Sequence, residues 1–253
     1  MTTSGVSLRI LSVFALTILA IGCGDGSTDG QGKPIVVAPG STLTTSKGSS
    51  DLAAPDHPDW NNVPEHHIDL EMAPAVHPSV ALRQTGDEKP LPTFVRVARS
   101  DQSLYVRLRW EDATANTVVA REMFADGAAV QFALNAEADT AHMMGDPDAP
   151  VNIWYWNAGS DEAQNLAAGG FGSTTRFDTK SLKASAQHNA DQGGQWTVVF
   201  SRPLASEGDH EADLTALDGV QLAFAVWQGA NGERDGLKRT STDWMTLSTG
   251  ASN

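Results

Sequence analysis

Cysteine is nearly absent: Cys23 is the only one in 253 residues, so no disulfide can close within the chain and no CxxC zinc or redox pair can form. Cations are scarce as well. Lys and Arg number 17 against 31 Asp and Glu, a formal net charge of -14. That excludes a nucleic-acid partner, because phosphate backbones need clustered Lys and Arg. The same sign repels anionic headgroups, so any membrane attachment needs something other than a basic patch. Also missing are GxSxG, HExxH, the P-loop and a GxGxxG following a strand. Acidic residues are too numerous to nominate one general acid and base. A stand-alone enzyme is therefore not expected.

At the N-terminus a targeting pattern is present. Arg9 supplies a positive n-region, and Ile10 to Ile21 is apolar apart from Ser12 and Thr17. That is the length of a signal h-region and falls short of the ~20 residues a spanning helix needs. It runs into Leu19-Ala20-Ile21-Gly22-Cys23, which resembles a bacterial lipobox, although Ala20 is less usual than Leu at its position. The expectation is a lipoprotein signal peptide over 1–22, lipidation of Cys23, and export to the periplasmic side of a bacterial membrane. Several acyl chains on one cysteine would anchor stably where a single chain holds only marginally. Residues 23–54, rich in Gly, Ser, Thr and Asp, read as a flexible tether, and 55–250 as the folded domain.

From Pro55 onward apolar residues alternate. Leu104, Val106, Leu108 and Trp110 point one way, with Tyr105, Arg107 and Arg109 opposed, as in a half-buried strand. Ile68, Leu70 and Met72 repeat the pattern, as do Val130 with Phe132, and Trp196, Val198 and Phe200. Val220 to Trp227 is apolar on both faces, which suits a central strand. Asp161 to Ala168 is the best short helical candidate. Many short strands between Gly, Asp, Asn and Pro clusters predict a mainly β protein, an antiparallel β-sandwich with a few short helices.

Asp56, His57, Glu65, His66 and His67 invite a metal reading, but adjacent histidines on extended backbone project to opposite faces, and their spacing matches no common zinc pattern. Two other stretches stand out: His142 to Trp156 (HMMGDPDAPVNIWYW) and Phe224 to Lys238 (FAVWQGANGERDGLK), the latter leading to Ser241 and Trp244. From composition alone these hold core methionines and a solvated lysine.

Taken together, the two stretches resemble the haem b-binding gamma subunit of the ethylbenzene dehydrogenase and dimethylsulfide dehydrogenase type. The likeness runs from Pro55-Asp56-His57-Pro58-Asp59-Trp60 to Leu247. It includes LYVRLRWED (104–112), FADGAAVQF (124–132) and VVFSRPL (198–204). The resemblance implies haem b in a β-sandwich, its iron ligated by Met144 and Lys238, with Met143 as the alternative methionine. With no CxxCH in the chain, such a haem would be held without thioether bonds. A thioether favours ferrous iron, and a lysine ligates only when its amine is unprotonated, which burial assists. Two protein ligands leave no open position, so the site would carry electrons rather than bind substrate. Gly145 would let the backbone turn close to the porphyrin. Either Trp154 with Trp156, or Val151, Ile153 and Tyr155, would line the pocket; Arg234 and Arg239 are candidate propionate partners. The family also implies a molybdenum catalytic subunit, an iron–sulfur subunit and a redox carrier as partners. A lipid anchor departs from its usually soluble members. The competing reading is a tethered β-sandwich module that stacks carbohydrate on some of its seven tryptophans.

Overall fold

In a computed structural model of the chain the described residues are 1, 32–48, 51–135, 139–160, 162–178 and 180–250. The chain divides into Met1–Gly30 and Gln31–Asn253. Apart from Met1, the first unit lies outside the described residues, and the expected signal peptide and Cys23 lie there with it.

Within the second unit the fold is mainly β. In chain order the strands are β1 (Ile35–Val36), β2 (Thr42–Lys47), β3 (His66–Met72), β4 (Leu91–Arg99), β5 (Ser103–Glu111), β6 (Gly127–Ala133) and β7 (Val151–Asn157). They continue as β8 (Gln164–Ala168), β9 (Thr175–Phe177), β10 (Lys183–Asn189), β11 (Gln195–Pro203), β12 (Gln221–Trp227), β13 (Arg239–Thr240) and β14 (Met245–Ser248). Among the described residues helix is confined to α1 (Pro78–Ala81) and three short 3-10 segments. None of the described helices is long and apolar enough to cross a membrane.

The strands form two sheets. One runs β10-β11-β5-β4, with β3 and β2 both beside β4; the other runs β9-β8-β7-β6-β12, with β13 and β14 beside β12. They join where β2 pairs β14 and where β13 pairs β3. The expected sandwich is mixed rather than purely antiparallel, since β1–β3, β2–β4 and β2–β14 are parallel pairs.

Strand alternation places the core. Leu104, Val106, Leu108 and Trp110 of β5 face Ala128, Val130 and Phe132 of β6, Trp154 and Trp156 of β7, and Leu222, Phe224 and Val226 of β12 in one apolar cluster. The outer face of the first sheet is covered by chain 51–63, whose Leu52, Trp60 and Val63 pack on Ala98, Tyr105 and Val199. The outer face of the second sheet carries a separate apolar set, including Ala129, Ile153, Ala225 and Trp227. β12 is therefore apolar on both faces because both are covered or concave.

Two expectations need correction. The tether does not extend to residue 54, since β1 and β2 are sheet strands and Leu43 is fully buried. In Thr-Leu-Thr-Thr-Ser-Lys the inward positions are Leu43 and Thr45, so one aliphatic residue and β-branched threonines make a strand out of a polar-looking segment. The helical candidate over 161–168 is β8 from Gln164 onward, buried at alternate positions and paired on both sides by β7 and β9. Its Asn, Leu and Ala content gives no strong signal for either state, and strand pairing decides it.

Candidate functional site

The outer face of the second sheet forms the floor of a cleft of about 1180 Å³. Ala129 on β6 and Ala223 and Ala225 on β12 keep that floor low, while Ile153 and Tyr155 on β7 and Trp227 on β12 close it with larger apolar surface. The alternation of β7 decides which of its faces serves the cleft. Trp154 and Trp156 point into the sandwich core, and Ile153 and Tyr155 into the cleft.

Met144 enters from the loop between β6 and β7. Gln131 Nε2 on the β6 floor donates to the His142 carbonyl at 2.8 Å, Trp244 Nε1 to the Thr140 carbonyl at 2.7 Å, and the Gly170 amide to the Met144 carbonyl at 2.9 Å. These ties hold Met144 in the left-handed region, with φ 71°, a conformation costing about 1–3 kcal/mol for a side-chain-bearing residue. Gly145 follows at φ 65°, and a Cβ there would lie 2.8 Å from the Ala149 carbonyl and 3.1 Å from Val151 Cγ1. Its glycine is thus required by the turn and by packing against its own chain, not by approach to a ligand in the cleft. The Asp146 carboxylate closes the turn, accepting from the Asp148 and Ala149 amides at 3.0 Å each.

Lys238 enters from the loop between β12 and β13. Glu233, buried, accepts from the Gln228 amide at 2.9 Å and lies 3.4 Å from Arg239 Nε. Trp227 Nε1 donates to the Asp235 carbonyl at 3.1 Å, Leu237 N to the Arg234 carbonyl at 2.9 Å, and Ala73 N to the Lys238 carbonyl at 2.8 Å. Asp235 and Gly232 take left-handed conformations at φ 52° and φ 71°. So fixed, Lys238 extends its amine over the Trp227 ring, 5.1 Å from the centroid. Tyr155 meets the same ring edge-on at 5.3 Å.

The two loops converge: Lys238 Nζ lies 3.6 Å from Met144 Sδ. No carboxylate pairs with Lys238 among the described residues, and burial pushes its amine down to about 8. Met143 also lines the cleft, but Met144 is the methionine whose sulfur reaches the lysine. The two long-range candidates, 94 residues apart in the chain, thus meet on one apolar surface.

Other candidates fall elsewhere. Arg239 is buried and bound to Glu233 and the Lys89 carbonyl, so it does not face the cleft, whereas Arg234 does. The histidine group serves the fold. His57 Nδ1 accepts from the Asp59 amide at 3.2 Å, and Glu65 pairs with Arg96 at 3.1 Å and Arg109 at 2.9 Å. His66 is buried, which pushes its imidazole pKa down, while His67 stacks on Phe94 at 5.1 Å. Sequence reasoning missed Trp227 under the lysine and Phe124 at the cleft mouth, which sits between Arg83 and Arg234 at 6.0 Å and 4.7 Å. Alternation already placed Trp227 on the same face of β12 as Ala225 and Ala223; what it could not show was that this face opens on a cleft.

All seven tryptophans are buried, and the one that lines the cleft, Trp227, lies beneath the Lys238 amine. In fold, the chain is similar to a Bacteroides uniformis protein assigned as carbohydrate-binding. That likeness has a TM-score of 0.50 and 10% identity, covering 83% of this chain and 100% of that one. In sequence it is similar to the dimethylsulfide dehydrogenase subunit gamma of Rhodovulum sulfidophilum, 43% identical over 77% of this chain and 75% of that protein. It is similar to the chlorate reductase subunit gamma of Ideonella dechloratans, at 36% over 80% and 82%. A protein of Haloferax mediterranei assigned as a respiratory nitrate reductase heme subunit is 37% identical over 73% and 64%. The family model described as ethylbenzene dehydrogenase matches residues 57–191 and 174–239, a span that holds the cleft floor and both converging loops, and the chain belongs to the ethylbenzene dehydrogenase family.

Proposed function

We propose that the chain is a haem b electron-transfer protein, the gamma-type subunit of a molybdenum oxidoreductase, in which Met144 and Lys238 would hold the iron. The observation that carries this reading is the meeting of Met144 Sδ and Lys238 Nζ, 3.6 Å apart, over an apolar cleft floor. Both side chains reach one point above that floor from separate loops, so together they would hold a metal there without rearrangement of the strands. The alanines of the floor leave room for a flat body, and exposed Val76, Val119 and Phe171 at the rim supply further apolar surface.

When bound, the haem supplies one-electron redox chemistry. Lys238 must offer a neutral amine to ligate, and its desolvation makes that form easier to reach than in free lysine. Met144 is neutral at every pH and asks for no proton release. Held by two side chains of this chain, the iron would have no free position for oxygen or an organic substrate, which suits electron transfer. The described residues offer no grouping of three or more His, Cys, Asp or Glu for another metal.

In this reading the chain passes electrons between an iron–sulfur subunit, itself served by the molybdenum catalytic subunit, and a soluble redox carrier. It does so on the periplasmic side, tethered through lipidated Cys23. The relatives named as gamma subunits support the first part, and the lipobox pattern supports the second. Protein produced in the periplasm, or mixed with hemin, is expected to show a sharp Soret band and low-spin α/β bands on reduction. Met144→Ala is expected to lower the potential or give a high-spin species, and Lys238→Ala to do the same and alter the alkaline response. No haem under either condition would overturn the reading, and wild-type spectra in both variants would overturn the ligand assignment.

A further inference from the structure

Two arginines converge on Phe124, an aromatic ring of the cleft lining: Arg234 lines the cleft as well, and Arg83 approaches from outside it. Arg234 lies 4.7 Å and Arg83 6.0 Å from the centroid of Phe124, both within the range of cation–π attraction. Their backbones are anchored. Arg234 opens the tight turn closed by the Leu237 amide, and Arg83 follows α1, its amide donating to the Val80 carbonyl at 2.9 Å. The next residue, Gln84, donates to the Ala73 carbonyl at 2.7 Å, and Ala73 N donates to the Lys238 carbonyl. The Phe124 carbonyl packs against Gly229 so closely that a side chain there would collide with it.

This pairing runs against electrostatics unless an anion joins it. Two like charges share one ring, and the nearest carboxylate is Asp235, 3.8 Å from Arg234 and almost fully exposed, where an ion pair contributes little. Arg83 has no ion pair among the described residues. Arg176, also at the cleft, has an equally exposed partner in Glu162 at 3.7 Å, but it shares no aromatic ring with a second guanidinium among the described residues. In a chain of net charge -14, two under-compensated guanidiniums flank Phe124 of the cleft lining, Arg234 lining the cleft itself and Arg83 exposed beside it. Such a site suits a molecule with a flat apolar body and two carboxylates at one edge. We propose that Arg83 and Arg234, converging on Phe124, bind the two carboxylate arms of the porphyrin and so fix which edge faces outward. Planar guanidinium forks match carboxylates with two parallel hydrogen bonds.

The inference rests on the haem reading, and the test separates the two. Hemin and its dimethyl ester, which lacks both charges, are titrated into the wild-type chain, Arg83→Gln, Arg234→Gln, the double variant and Lys183→Gln. The Soret band reports affinity, at low and at high salt. Each of these arginines lost is expected to weaken hemin about three- to ten-fold. The ester is expected to bind the wild-type and double-variant chains alike, both near the double variant's affinity for hemin, and the salt dependence of hemin binding should disappear in the double variant. The low-spin spectrum should persist throughout, because Met144 and Lys238 are untouched. Equal affinity of the wild type for hemin and ester would overturn the inference while leaving the ligation standing. A loss in Lys183→Gln, on β10 away from the cleft, as large as in the arginine variants would overturn it too, by pointing to overall charge. A wild-type chain that takes up neither porphyrin would overturn the haem reading itself.

Discussion

Among single residues, the most informative departures from ordinary chemistry are buried groups without enough partners. Lys238 is one; Asp112 is another. Asp112 is buried where β5 ends, with Oδ2 unpartnered, and Asp126 nearby carries the same charge. Asp126 itself is well served, accepting from Trp196 Nε1, the Asn116 amide and the Gly229 amide at 2.7–2.8 Å. Desolvation first, and Asp126 second, push Asp112 up to about 6. A folded-state pKa above the unfolded value means the folded chain holds the extra proton, so this contribution is full below about 3.9 and disappears as pH rises through 6. Asp112→Asn is therefore expected to stabilise the protein at pH 7.5 by about 1–3 kcal/mol and to match the wild type at pH 4. Urea unfolding at the two pH values measures this, and a constant difference between variants would show that the charge is not responsible.

At the scale of elements, legibility followed from how much a segment's own side chains decide. β5, β6, β11 and β12 were readable because Leu104 to Trp110, Val130 with Phe132, Trp196 to Phe200 and Leu222 to Trp227 carry the two-residue period or an unbroken apolar run. β8 and β2 were not, because their state is set by neighbours far along the chain. The converging loops were harder still. Nothing in local pattern brings a methionine in one loop against a lysine in another; only the likeness of both stretches to a family did so. Even then the reason for Gly145 lay in the turn itself. Gly145→Ala and Gly232→Ala share a similar left-handed φ, 65° and 71°, but a Cβ would meet neighbouring backbone only at Gly145. Gly232→Ala is expected to cost about 1 kcal/mol and Gly145→Ala roughly 2–3 kcal/mol, with weaker hemin binding. Equal losses on denaturant unfolding would mean that backbone conformation alone, and not packing of the methionine loop, explains the glycine.

For the molecule as a whole, the two sheets are held together by more than their shared core. β2 is hydrogen-bonded to β14 of one sheet and to β4 of the other, so a six-residue strand is a seam between them. Leu43, its second residue, is fully buried in the common cluster. Strand pairing across a seam is costly to lose, because the exposed edges of β4 and β14 would each present unpaired amides and carbonyls. A chain beginning at residue 55, where the polar composition suggested the domain starts, would lack β1, β2 and Leu43 together. It is expected to show no cooperative thermal transition, whereas a chain spanning 32–250 should melt at the midpoint of the full-length protein. Leu43→Ala alone is expected to cost about 2–5 kcal/mol, the usual loss for a fully enclosed leucine. Because Leu43 points into the common core and the cleft lies on the outer face of the second sheet, that variant should still bring Met144 and Lys238 together while it remains folded. Circular dichroism melts of the two shortened chains decide the matter. If the chain starting at residue 55 melts with the full-length midpoint, the N-terminal strands are an appendage and the sheets are held by the core alone.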